Sequence, residues 1–198
     1  RIVIAGGSGR FANAFKRIES NKSLNLYYPE KNKLDILNIK SIQKYLKYIK
    51  PKYLIHLAGL SRPMDIHEKD IAQSIDKNII GTANITKICS KFNIKLIYIS
   101  TCYVYPGLKG NYSEKSSLYP INNYAWSKLG GECSVQMLKN SLILRLAMTD
   151  YPFSYKRAIK NAFSSFIYNK DFAKLLPHLL NEKGILNIGK KRQSIFNF

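Results

Sequence analysis

Tyr124 and Lys128 stand four residues apart in the stretch NNYAWSK, residues 122–128. On a helix that interval puts both side chains on one face, so a phenol and an amine can enter the same pocket. A free phenol has a pKa of about 10 and is a poor acid–base catalyst at neutral pH. A nearby ammonium favours the phenolate, and a drop of about three units corresponds to roughly 4 kcal/mol of differential stabilisation. Such a shift would bring the phenol into the range of general acid–base catalysis. A third group has to hold the substrate oxygen. Ser100 and Thr101 close the apolar run IKLIYIS, and a hydroxyl there can hydrogen-bond a carbonyl beside Tyr124. Each piece alone is weak: the chain holds 14 tyrosines and many lysines, and Ser-Thr at a strand end is often only a cap. Their order along the chain carries more.

The elements that must position these groups begin with RIVIAGG, a β-branched run that ends in glycines and reads as a buried parallel strand. The turn after it carries Gly6-x-x-Gly9-x-x-Ala12, with Ser8, Arg10 and Phe11 between. A turn of this kind, after the first strand and opening the first helix, is where a dinucleotide pyrophosphate binds. Gly6 permits the tight turn, Gly9 lets the backbone approach the phosphates, and Ala12 keeps the helix close to the sheet. The helix start offers free N–H groups and partial positive charge. An oxidised, cationic nicotinamide would be a second influence favouring the phenolate of Tyr124. The acid that usually holds the adenosine ribose is missing straight after LNLYY. Arg10, Lys31 and Lys33 lie near instead, which suits a 2′-phosphate and favours NADP over NAD. Glu30 or Asp35 turned towards the ribose would restore NAD.

Further along, SIQKYLKYIK is amphipathic and stops at Pro51, and KYLIHLAGL reads as a third strand. A long helical stretch is expected from Asp70 to Phe92, then the strand IKLIYIS, then a loop from Cys102 to Pro120. A helix starting near Asn122 carries Tyr124 and Lys128. Its paired Gly130 and Gly131 cost helix stability but let it lie close to a neighbour. SLILRLA and GILNIG read as strands and KDFAKLLPHLL as a helix. Strands alternating with helices of this length predict a doubly wound α/β fold with a parallel sheet, a Rossmann-type NAD(P)-binding domain over 1–147. Residues 148–198 are expected to form a small, abbreviated substrate lobe.

The chain has 198 residues and 45% hydrophobic content, enough for one sizeable core. The formal charge of +20 suggests nucleic acid at first sight. The positive residues are mostly lysines spread along the chain, with no recognisable nucleic-acid module, so a solvated basic surface is the better reading. Three cysteines, Cys89, Cys102 and Cys133, form neither a disulfide framework nor a zinc pattern. No apolar run approaches the roughly 20 residues that span a bilayer, and no secretory signal precedes Arg1. Together these predict a cytoplasmic protein with no membrane or nucleic-acid partner. The first strand starts at Arg1 without a preceding Met, so a residue or two is expected in front. His56 lies within a strand and reads as packed. No His, Asp or Glu group has metal-ligand spacing.

The stretches IAGGSGRFA, KLDILN, PKYLIHLAGLSRP, NIIGTANI, ISTCYVYPG, YPINNYAWSKLGGE and LILRLA, over residues 1–147, resemble the extended short-chain dehydrogenase/reductases. Within them the chain is similar to dTDP-4-dehydrorhamnose reductase and related sugar-nucleotide reductases and epimerases. The resemblance implies that Tyr124 protonates the new alkoxide as hydride arrives from NAD(P)H. It implies that Lys128 holds the nicotinamide ribose and that Thr101 hydrogen-bonds the substrate carbonyl. Asp35 and Ile36 would flank the adenine, while Leu57, Ala58 and Gly59 would line the cofactor and Asn78 would support the site. Sugar-nucleotide 4,6-dehydratases carry Asp-Glu after the Thr, where this chain has Cys102 and Tyr103, which argues against that chemistry. A nucleotide-sugar reductase is the leading expectation, and a homodimer is compatible with it. An epimerase retaining NAD, or a non-catalytic nucleotide-binding subunit, are the alternatives.

Overall fold

In the computed structural model, residues 1–18, 23–151 and 160–197 are described. Six parallel strands form the central sheet: β1 (Ile2–Ala5), β2 (Leu26–Tyr27), β3 (Tyr53–His56), β4 (Lys95–Thr101), β5 (Ser141–Leu146) and β9 (Gly184–Ile188). Their spatial order is β2-β1-β3-β4-β5-β9. Ile2 of β1 pairs with Leu26 on one side and Tyr53 on the other, and Thr101 of β4 pairs with Leu146. β1, β3, β4 and β5 are buried on both faces, which is why they read as continuous apolar runs rather than alternating ones.

Alternate residues of each strand feed two separate cores. Ile2, Ile4, Ile97, Ile99 and Leu144 face α1 (Arg10–Lys16) and α7 (Asn169–Leu175), meeting Phe11, Phe15 and Phe172. Val3, Ala5, Leu54, Leu96 and Tyr98 face the opposite layer. That layer is α2 (Ile39–Ile49), α5 (Gly81–Phe92) and α6 (Asn123–Gln136), through residues such as Leu46, Ile85 and Val135. The expected doubly wound, three-layer α/β architecture is therefore present. The strand order reverses between β1 and β3, so their following loops leave on opposite faces and open a crevice at the C-terminal edge.

The helices differ from the sequence expectation where hydrogen-bond register, not apolar pattern, decides. The stretch Asp70–Phe92 is helical as expected, but not as one α-helix. It is α4 (Ile71–Ser74), a π-helical segment (Ile75–Ile80) and then α5. The expected helix 170–180 changes to a 3-10 turn at Leu176–Leu179, around Pro177. The short α3 (Ile66–Lys69) falls in a region read as loop. α2 ends as expected before Pro51, with Lys50 in the left-handed conformation (φ 49°). After Ala147 come β6 (Met148–Thr149), β7 (Phe163–Ser164), β8 (Ile167–Tyr168) and β10 (Gln193–Ser194), which pair as two ribbons, β6 with β8 and β7 with β10. Between them α7 packs into the first core and β9 closes the sheet edge. No helix among the described residues is long and apolar enough to cross a membrane.

Candidate active site

The glycine turn is shaped by how closely β3's following loop approaches it. Gly6 has φ +88°, and a Cβ there would stand 2.6 Å from the Ala58 nitrogen. Only glycine fits on both counts. Gly9 caps α1 without any side-chain cap, so the first N–H groups of α1 are left to a ligand. A cavity of about 380 Å³ opens from this turn along the C-terminal ends of the strands. Gly6, Gly9, Arg10 and Phe11 line one end, with Leu57 and Gly59 from the loop after β3, and Thr101, Tyr124 and Lys128 line it further in. The turn and uncapped helix start fit a dinucleotide pyrophosphate.

Thr101, Tyr124 and Lys128 all line this cavity. α6 begins at Asn122, whose side chain accepts from the Ala125 N–H, and the first turn then delivers Tyr124. The Thr101 side chain stands towards the Tyr124 phenol and favours the phenolate. Its ring lies 5.1 Å from that of His67 and 6.3 Å from that of Tyr103. Lys128 Nζ donates to the Ile99 carbonyl at 2.8 Å and sits 4.2 Å from the centre of the Tyr98 ring. Thr101 Oγ1 also accepts from the Tyr103 N–H at 3.2 Å.

The electrostatics differ from expectation in one respect. Burial pushes the Tyr124 phenol up to about 12, against the opposing pull of Thr101 and Arg62. Burial likewise drives Lys128 down to about 7, with Glu132 opposing it. Desolvation is the largest influence on both groups, so the phenol is raised rather than lowered. Tyr124 stays protonated at neutral pH, the form a proton donor needs.

Five expected residues do not line the cavity. Asn78, on the π-helical segment, is buried behind it. Its Oδ1 accepts from the Leu60 N–H at 2.7 Å, and its Nδ2 donates to the Leu60 carbonyl and to Ser127 Oγ, both at 2.8 Å. Ser127 Oγ then donates to the Tyr124 carbonyl at 2.7 Å. Asn78 thus ties the loop after β3 to the turn that carries Tyr124. Ala58 packs against the second core and backs the glycine turn. Ser8 sits exposed on that turn. Asp35 Oδ1 accepts from the Leu37 N–H at 3.0 Å in its own turn, and Ile36 packs into the second core. His56 is buried, held neutral with a pKa near 3, and bonded to Thr82 at 3.0 Å.

The cavity also holds residues not foreseen. Arg62 and Met64 come from the loop after β3, where a cation following a strand end was a usable signal. Met148, Asp150, Phe166 and Asn169 come from the chain beyond β5. Arg10 Nη1 pairs with Asp150 at 3.2 Å, a contact 140 residues apart that no local pattern marks.

A relative named Methionine adenosyltransferase 2 subunit beta, from Xenopus laevis, is 30% identical over 154 residues, 74% of this chain and 46% of that protein. The chain spans about half the length of the curated relatives it matches. Among solved structures, dTDP-4-dehydrorhamnose reductase from Bacillus anthracis in complex with NADP has a TM-score of 0.89 at 24% identity, covering 100% of this chain and 78% of that one. UDP-glucose 4-epimerase from Thermus thermophilus in complex with NAD has a TM-score of 0.82 at 16% identity, covering 100% and 80%. At these identities the likeness speaks to the fold. Residues 1–187 match the family described as RmlD substrate binding domain, and the chain belongs to that family, within the extended short-chain dehydrogenase/reductases its motifs resemble.

Proposed function

We propose that the protein reduces the keto group of a nucleotide-linked 4-keto-6-deoxy sugar, with NAD(P)H as the reductant and Tyr124 as the proton donor. The observation that carries this is that Thr101, Tyr124 and Lys128 line one cavity together with the glycine turn. A bound NAD(P)H supplies a hydride to the carbonyl carbon. The Gly6–Phe11 turn, Ser8 included, receives the pyrophosphate, and Arg10 suits a 2′-phosphate. Asp35 and Ile36 flank the adenine, Leu57 and Gly59 line the dinucleotide, Ala58 backs the glycine turn, and Asn78 braces that loop. Lys128 holds the ribose next to the reacting ring. The Thr101 hydroxyl orients the substrate carbonyl, and Tyr124 gives its phenolic proton to the oxygen as the carbon is reduced. The short ribbons within 148–198 serve as the substrate lobe, with Met148, Phe166 and Asn169 on the sugar side. α7 and β9 of that stretch belong instead to the core and sheet of the 1–147 domain, so the expected boundary at 147 does not separate two units. Cys89, Cys102 and Cys133 are all free, which supports a reducing, cytoplasmic setting.

A second reading has its own support: the Xenopus relative bears the name of a subunit of another enzyme. On that reading the chain binds a nucleotide without turning it over. The intact Thr101–Tyr124–Lys128 set favours catalysis. NADPH absorbance with a panel of nucleotide-linked keto sugars separates the two. Tyr124→Phe should cost about 100-fold or more in kcat while NADPH still binds. Unchanged turnover rejects the role of Tyr124, and NADPH binding without oxidation of any panel member favours the subunit reading.

A further inference from the structure

α6 meets β4 through successive turns of one face. Tyr124 faces the Thr101 side chain, Lys128 donates to the Ile99 carbonyl, and Glu132 accepts from the Ser100 hydroxyl. The reduction accounts for the first two contacts but not the third. Glu132 and Arg145 of β5 have side-chain exposures of 0% and 1%. Arg145 Nη2 reaches Glu132 Oε2 at 2.7 Å, and its Nε reaches both carboxylate oxygens at 3.1 Å. Its Nη1 donates to the Tyr105 hydroxyl at 2.9 Å, which donates to Asn187 Oδ1 of β9 at 2.9 Å. Stability gives no reason for such a pair, because apolar residues of similar volume usually serve as well.

We propose that Glu132, clamped by Arg145 and Ser100, is a positioning residue that supplies the counter-charge of the Lys128 ammonium. Its purpose rests on the reductase reading; its electrostatics do not. Glu132 lies one turn beyond Lys128 on the same face of α6. The other titratable groups facing Lys128 are uncharged: His56 on β3, Tyr98 on β4 and Tyr124 on α6 are all held neutral by burial. Around the cavity, Arg10 is paired with Asp150, and Arg62 and Tyr103 stand towards Tyr124. Desolvation drives Lys128 towards the free amine, and Glu132 is the charge that opposes it. Arg145 bonds both oxygens of the carboxylate and holds it in place.

Only an uncharged amine is acetylated, so a brief pulse of acetic anhydride across a pH series, read at Lys128 by mass spectrometry, reports its ionisation. The double variant Glu132→Leu with Arg145→Met replaces the pair by apolar bulk and should lower the midpoint by about one pH unit. Glu132→Gln deletes the charge with almost no change of shape and should lower it too; it serves if the double variant does not fold. Glu132→Asp keeps the charge and should leave the midpoint within about 0.3 units of the parent. An unmoved midpoint in either folded charge-deleting variant overturns the proposal, and so does an equal drop in Glu132→Asp. The labelling needs no turnover. A lowered midpoint in a protein that oxidises no NADPH would sink the reductase reading and leave the counter-charge standing. In an active enzyme, the same variants should move the high-pH limb of kcat to lower pH in step.

Discussion

The amine of Lys128 is buried beside one carbonyl and one aromatic face, and holding it there has a measurable cost. Its pKa is about 7 in the folded protein, against about 10.4 in an unfolded chain. Between those values the unfolded chain binds a proton that the folded chain does not, so this group makes stability rise with pH. Below about 7 both states are charged and the full penalty applies. Lys128→Met should therefore be more stable than the parent at pH 6 by about 2 kcal/mol, after allowing for the lost bond to Ile99. The advantage should fade by about pH 10, which thermal melts across pH would show. A variant no more stable at pH 6 than at high pH would mean the amine is better solvated than its surroundings suggest. Groups whose separation is set by one helix or one turn, such as Tyr124 with Lys128 or Gly6 with Gly9, were legible in the sequence. Glu132 with Arg145 and Arg10 with Asp150 were not, because only tertiary packing brings them together.

The seating of α6 on its neighbours depends on two adjacent glycines with different surroundings. A Cβ at Gly131 would lie 2.6 Å from the Tyr98 hydroxyl and 2.7 Å from the Asn78 carbonyl oxygen. One obstacle is backbone, so the helix itself would have to move. A Cβ at Gly130 would lie 2.8 Å from the end of the Ile79 side chain, which can rotate away. Gly131→Ala should thus cost about 2 kcal/mol or more and reduce kcat as Tyr124 shifts. Gly130→Ala should be within about 1 kcal/mol of neutral, because the gain in helix propensity offsets the crowding. Equal melting temperatures for the two variants would contradict this close approach. The glycine pair was readable as a close contact, and the parallel, doubly wound sheet followed from the alternation of strands and helices. The π-helical segment that aims Asn78 was not readable. Its apolar spacing still looks helical, and a one-residue change of hydrogen-bond register leaves little trace in composition. The β6–β8 and β7–β10 ribbons escaped for a related reason: two-residue strands carry too few positions to show a period.

Across the whole molecule, 32 basic residues face 12 acidic ones, leaving a formal charge of +20. Ion pairs cannot reduce that excess, because 12 acidic residues can offset at most 12 of the 32 basic ones. The folded state holds these charges closer together than the unfolded chain does, so self-repulsion opposes folding. Salt screens it: the Debye length falls from about 30 Å at 0.01 M to about 8 Å at 0.15 M. Melting temperature should rise by several degrees between about 0.02 and 0.3 M sodium chloride, the reverse of a fold held by surface ion pairs. The same field raises the local concentration of anionic ligands at the cavity that Arg10 and Arg62 line. NADPH affinity should therefore weaken several-fold over that salt range while the protein becomes more stable. The opposed directions matter because a general effect of salt on folding would move both quantities together. A melting temperature that falls with salt would show that local pairing, not net repulsion, governs the fold. An NADPH affinity indifferent to salt would remove the arginines from phosphate recognition and leave the glycine turn to bind it alone.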